Sequence, residues 1–298
     1  MYKRIEKTAR KGNKLLFSYI HTSIHPYVKK ILIFLLIIFS FSCSLFAQYK
    51  RIISLAPSVT ESLYELGLDG ELIANTTYCR DTDVKKEKIG TFTEPNIEKI
   101  ISLKPDLIIS TKEGNNKNSI EKMVRLNLPV YVMETVKSFE DICKNFCDLA
   151  NFLGKKETGE KIVFDVKQEI FKIYEKRKTI KDENVFWEVG ANPLFTVGRQ
   201  SFVNDYNKFA GGKNIFGDID MRYPNINIES VLQKNPDVII LVNMGDIGKE
   251  EIFKWSKYKT VNAVKNKKIF MLEANDIFTP TPKTFLKGVK IIFEKLQE

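Results

Sequence analysis

The residues able to do covalent or metal chemistry are few and poorly placed for it. The only histidines, His21 and His25, precede an apolar run, Ile31 to Phe39. A chain that loses this region keeps no histidine. That argues against a Ser-His-Asp hydrolase, a His-ligated zinc or manganese site and a His-ligated haem. The cysteines are Cys43, Cys79, Cys143 and Cys147. Removal of a signal ahead of residue 48 would leave three, an odd number that makes no disulfide framework. Cys143 and Cys147 flank the apolar stripe Ile142, Phe146, Leu149 and Leu153 on an expected helix capped by Ser138, and read as small buried hydrophobes. No Gly-rich loop opens a helix; "VGRQSF" at 197–202 is the nearest phosphate-like turn, and a weak one. No catalytic residue, no metal and no cofactor is expected.

A second kind of chemistry is recognition by fixed charge, and here the chain repeats itself. "NIEKIISLKPDLIIS" runs from Asn96 to Ser110 and "NIESVLQKNPDVIIL" from Asn227 to Leu241. Glu98 lies seven residues before Pro105, and Glu229 seven before Pro236. An aromatic stands six residues before each glutamate, Phe92 and Tyr223. Each asparagine can cap a short helix whose first turn holds the glutamate, where the helix dipole favours negative charge. Each Pro-Asp step then ends the helix and starts a buried strand. Any α/β protein reuses such units, but the shared aromatic offset points to two related lobes.

The elements that must position these residues alternate from residue 48 onward. Strands are expected at "YKRIISLA", "LIANTT", "PVYVME", "NVFWEV" and "KIFMLE", besides the two in the repeats. "PSVTESLYELG" reads as a helix with a Ser58–Glu61 capping box and Gly67 at its stop. Between the halves, "ETGEKIVFDVKQEIFKIYEKR" has apolar residues at helical spacing, about 30 Å at 1.5 Å per residue. The expected organisation is a signal segment 1–47, an N-terminal α/β lobe 48–155, one linking helix 156–180 and a C-terminal α/β lobe 181–298, with mostly parallel strands.

The net charge of +10 suggests a polyanion partner until it is located. Residues 1–47 hold eight Lys/Arg against one acid, which leaves 39 against 36, or +3, for the rest. The folded body is nearly balanced, so nucleic acid is not expected. Lys29-Lys30 followed by "ILIFLLIIFSFSCSLFA" has the layout of a secretory signal, with cleavage after Ala47. A lipid anchor at Cys43, for which "SFSC" lacks the usual Leu, and an uncleaved anchor are the alternatives. The extracytoplasmic space is the expected location.

Two α/β lobes joined by one helix behind a signal resemble the iron-siderophore/cobalamin class of periplasmic binding proteins, which feed ABC importers. The resemblance covers about residues 50–297 and is carried by "RIISLAPSVTESLYELG", "TTYCRD", "IGTFTEPNIEKIISLKPDLII", "NPLFTVGRQSF", "GGKNIF" and "YPNINIESVLQKNPDVII". The pattern is most similar to the cobalamin-binding members. It implies a two-lobed fold with the ligand between the lobes, a corrinoid as ligand, a monomer, and importer permease subunits as partner, with membrane contact only through the importer or an N-terminal anchor. It further implies that Glu98 and Glu229 dock on importer arginines, and that Tyr78, Phe92, Tyr223 and Phe195 line the cleft. Thr111, beside Lys112, replaces a cleft tryptophan frequent in the family. Arg80, Lys112, Arg199, Arg222 and Lys283 fall in loops expected to rim the cleft, which would suit an anionic ligand such as a ferric siderophore or haem. Tyr78 could then ligate haem iron. The enzymatic alternative is a chelatase acting on a tetrapyrrole.

Overall fold

The computed structural model describes residues 49–243 and 248–298. The expectations about the signal segment, His21, His25 and Cys43 lie outside these residues. In the N-terminal lobe, β1 (Ile52–Ser54), α1 (Pro57–Glu65), β2 (Leu72–Asn75), β3 (Glu87–Lys88), α2 (Ile97–Ser102), β4 (Leu107–Thr111), α3 (Lys117–Arg125), β5 (Val130–Met133) and α4 (Phe139–Phe152) follow in order. The strands pair in parallel in the order β3-β2-β1-β4-β5. Apolar side chains alternate between two buried faces: Ile52, Leu107 and Ile109 enter one core, and Ile53, Leu55 and Ile108 the other. A sheet covered on both faces explains why its strands read as unbroken apolar runs.

The linking helix is α5 (Lys156–Arg177), 22 residues long, and it buries Val163, Val166 and Ile170. Beyond it lie β6 (Glu183–Glu188), the hairpin β7 (Gly190–Ala191) and β8 (Leu194–Phe195), α6 (Val203–Ala210) and β9 (Gly212–Asn214). Then come α7 (Ile228–Lys234), β10 (Val238–Asn243), α8 (Lys249–Trp255), α9 (Asn262–Lys265), β11 (Ile269–Glu273), α10 (Ala274–Ile277) and α11 (Pro282–Gln297). The second parallel sheet has the order β11-β10-β6-β9. One core cluster draws on both lobes, from Ile52 to Leu296. At its centre Phe285 of α11 stacks on Phe139 of α4 at 4.6 Å and on Tyr206 of α6 at 4.5 Å.

The repeated stretch builds the same unit twice. Asn96 accepts from Lys99 N at 3.0 Å, and Asn227 from Ser230 N at 2.9 Å. Lys104 and Asn235, each just before the proline, both take positive φ, 46° and 43°. The aspartates then tie each strand to its neighbour. Asp106 accepts from Lys50 N and Arg51 N at 2.7 and 2.9 Å, and Asp237 from Asn184 N at 3.0 Å. One sequence expectation is corrected. Ser58 does not cap α1: the N-cap is Ala56 without a side-chain bond, and Pro57 opens the helix. Proline presets φ and lacks the N–H that a cap would satisfy, which frees Glu61 for another partner.

Candidate ligand cleft between the lobes

Loops at the carboxyl ends of parallel strands are where open α/β sheets place ligands. After β2, Tyr78 stands 60% exposed, with its ring edge-on to Phe92 at 6.5 Å between centroids. Its loop is held from beneath. Lys88 Nζ donates to Asn75 Oδ1, Asp81 Oδ1 and the Cys79 carbonyl at 2.8, 2.9 and 3.1 Å. That bond to Lys88 keeps the Asp81 carboxyl below its ordinary range. Cys79 is buried against the Thr76 hydroxyl, 3.0 Å away, so it anchors the loop.

At the end of β4 stands Thr111, a residue expected to face ligand. The structure buries it instead and turns its hydroxyl to the Glu113 carbonyl. Asn115 accepts from Thr111 N at 2.8 Å and donates to the carbonyls of Leu55 and Phe92 at 2.9 and 2.7 Å. Thr111 and Asn115 thus fix the loop that carries Glu113 and supports Phe92.

The C-terminal lobe presents Tyr223 through a strand-like pairing. Thr196 N and Gly198 N donate to the Pro224 and Arg222 carbonyls at 3.0 and 2.9 Å, and Phe195 bridges Asn225. Gly198 is required by close approach: a Cβ there would lie 2.3 Å from the Met221 carbonyl oxygen. The "VGRQSF" turn is therefore a backbone-packing site. Tyr223 meets Phe278 edge-on at 5.9 Å. Burial, with the charge of Glu113 adding to it, pushes its phenol up to about 12. Phe195 is half-buried against Gly190.

Arg222 reaches across from the C-terminal lobe to the N-terminal one. Arg222 forms an ion pair with Glu113 and donates to the Val136 carbonyl, both in the N-terminal lobe. Its guanidinium lies 5.9 Å from the Tyr223 ring centroid. Burial raises the Glu113 carboxyl, with Arg222 opposing the shift. Among the described residues this is the one ion pair that joins the lobes. Further hydrogen bonds cross between the lobes, from the Thr281 hydroxyl at the start of α11 to Glu65 of α1 and from Phe139 N to Asp205 at 2.7 Å.

The other basic residues expected at the rim are also engaged. Arg80 pairs with Glu61 at 2.9 Å, Lys112 with Glu134 at 2.6 Å and Arg199 with Asp220 at 3.3 Å. Lys283 is placed apart from these, in the first turn of α11 beside Glu65. Glu98 and Glu229 are exposed in the first turns of α2 and α7, and no ion pair engages either among the described residues. Sequence reasoning missed Glu113, Asn115 and Met221. Met221 is 56% exposed beside Arg222. The Glu-Gly-Asn run after β4 was the available signal for the first two. A concavity of about 610 Å³ lies elsewhere, beside the edge strand β9, lined by residues such as Asn204, Lys213 and Lys234.

A family model described as periplasmic binding protein matches residues 52–275. The chain belongs to that family, two-lobed binding proteins with a small-molecule ligand, an extracytoplasmic location and an ABC importer as associate. A vitamin B12-binding protein of Vibrio vulnificus is 32% identical over 255 residues, 85% of this chain and 92% of the relative. The crystal structure of a periplasmic vitamin B12-binding protein of Vibrio cholerae superposes with a TM-score of 0.70 at 30% identity, over 84% of this chain and 97% of that one. A possible iron-binding (periplasmic solute-binding) protein of Staphylococcus epidermidis gives 0.74 at 27% identity, over 84% and 100%.

Proposed function

We propose that this protein captures a corrinoid between its lobes and hands it to an ABC importer, without a catalytic step or resident cofactor. The observation that carries the choice of ligand is the neutralised rim. Arg80, Lys112, Arg199 and Arg222 each face a carboxylate. An anionic chelate would compete with those carboxylates, most of all at the partly buried Arg222, whereas an uncharged macrocycle would not. Aromatic side chains from both lobes, Tyr78 and Phe92 against Tyr223, suit a broad apolar face. The names of the relatives from both Vibrio species agree with this reading.

Delivery rests on Glu98 and Glu229, equivalent on the two lobes and without an ion pair among the described residues, as docking charges for the importer's permease subunits. The protein acts as a monomer, exported by the segment before Gln48, with a lipid anchor at Cys43 as the variant to distinguish. Mass analysis of the envelope-derived chain tests this: a start at Gln48 is expected, and an intact cytosolic chain beginning at Met1 would overturn export. One observation favours a second reading, a ferric chelate or haem: the exposed Tyr78 phenol is free to meet a metal. Titration of the apo protein with cyanocobalamin, haemin and ferric chelates decides between them. Saturable binding of cyanocobalamin alone is expected; binding of haemin or a ferric chelate in its place would transfer the assignment.

A further inference from the structure

We infer that Glu113 is a specificity-determining residue of the cleft: by holding Arg222 in an interlobe ion pair, it makes the site accept a macrocycle rimmed with carboxamides and turn away the same macrocycle bearing a carboxylate. The inference deepens the corrinoid reading and rests on it.

The argument starts from placement. Arg222 belongs to the segment paired with 194–198, so its backbone is fixed to the C-terminal lobe. Its guanidinium nevertheless takes its acceptors from the other lobe, Glu113 and the Val136 carbonyl. The Arg222 Nε–H is buried without an acceptor, so the compensation of the charge depends on those two groups. Glu113 is just as constrained. Its own carbonyl receives the Thr111 hydroxyl, and its neighbour Gly114 supports the Phe92 ring. The pair therefore lies between an aromatic wall of one lobe and Tyr223 of the other. Both side chains keep some access to solvent, 21% for Arg222 and 32% for Glu113.

Chemistry supplies the selectivity. A primary carboxamide carries a carbonyl acceptor and an NH2 donor side by side. A guanidinium beside a carboxylate offers the reverse arrangement, donor beside acceptor, so the pair can engage an amide without either charge losing its partner. A carboxylate in the same place gains from Arg222 but faces Glu113, and like charges in a partly desolvated site repel. Stability gives no competing reason for the pair, because ion pairs shielded from water are often neutral in net effect. Without Glu113, an uncompensated guanidinium would stand between the walls, which is an anion site.

The test compares cyanocobalamin with its monocarboxylate, in which one peripheral amide has been hydrolysed, on the wild type and on Glu113→Gln. The wild type should prefer the amide form. Glu113→Gln should shift the affinity ratio toward the carboxylate by about 10-fold or more, equivalent to about 1.4 kcal/mol. Glu169→Gln, which frees the exposed Lys172 of α5 instead, should leave the ratio alone. Arg222→Gln should bind the amide form without gaining the carboxylate. Circular dichroism and melting of each variant show whether it is folded, and Arg222→Gln supplies the answer if Glu113→Gln is not. The same ratio in the wild type and Glu113→Gln, or a gain of carboxylate binding by Arg222→Gln, overturns the inference. If the wild type binds no corrinoid, the corrinoid reading falls by itself. Haemin and its bis-amide then decide the role of Glu113 by the same ratio, and failure of the wild type to bind either macrocycle overturns both.

Discussion

The ring of Phe92 rests on Gly114: a Cβ added to Gly114, whose φ is +87°, would stand 2.0 Å from Phe92 Cε2. Gly114 therefore sets the position of the Phe92 ring, one wall of the proposed ligand site. Gly114→Ala should move the ring, strain the turn and weaken ligand binding on the scale of a truncated aromatic, roughly 1–3 kcal/mol. That corresponds to about 5- to 150-fold in affinity. Calorimetric titration with cyanocobalamin checks it, and affinity equal to the wild type would show that this ring is not a wall of the site.

Phe92→Ala and Tyr223→Ala should each weaken binding by a similar amount, about 1–3 kcal/mol. They should differ in stability. Tyr223 packs on Phe278 and the shared core, so its truncation should also lower the melting temperature, while Phe92→Ala should lower it less. Tyr223→Phe keeps the packing and should restore the stability. Unchanged affinity in both alanine variants would remove these aromatics from the site.

Glu98 and Glu229 offer a test that separates folding from docking. If they only complement helix dipoles, their loss should cost a few tenths to about 1 kcal/mol of stability and leave transport intact. As docking charges they behave the opposite way. Glu98→Ala and Glu229→Ala should fold and bind ligand normally, while uptake in reconstituted vesicles falls, most in the double variant. Reversal to Arg should be worse than Ala, because like charges across an interface repel. Normal uptake by the double Arg variant would leave the repeat with a folding role alone.

Stability should fall as the pH rises from about 4.5 to about 7, because of two buried carboxyls. Burial raises Glu65 to about 7 against the opposing Thr281 hydroxyl and Lys283. Burial also raises Glu188 to about 7; the Trp255 indole, 2.6 Å away, opposes the shift and Glu251 reinforces it. A carboxyl whose folded value exceeds its unfolded one holds a proton that the unfolded chain has released, so the folded state loses ground until both are ionised. The loss is at most about 3 kcal/mol for each group. Denaturant unfolding at pH 5.5 and pH 8 measures it. Glu65→Gln and Glu188→Gln should each flatten the difference; an unchanged difference in the double variant would exclude these groups as its source.

Much of this protein is written in local pattern. Apolar runs such as "LIIS" and "VIIL" specify buried parallel strands, Asn96 and Asn227 cap their helices, and α5 follows from helical spacing, because each depends on residues within a turn or a strand of one another. The symmetry of Glu98 and Glu229 was legible for the same reason. Partnership was not. Arg80, Lys112, Arg199 and Arg222 look in sequence like a cationic rim, and the fold gives each a carboxylate. The partner of Arg222 comes from the other lobe, 109 positions away by residue number, and Thr111 turned inward once Asn115 organised its loop. Ion pairs of this kind are worth little individually and leave no periodicity. Which charges remain free to meet a ligand was therefore decided only by tertiary structure, within one lobe for Arg80, Lys112 and Arg199 and between the lobes for Arg222.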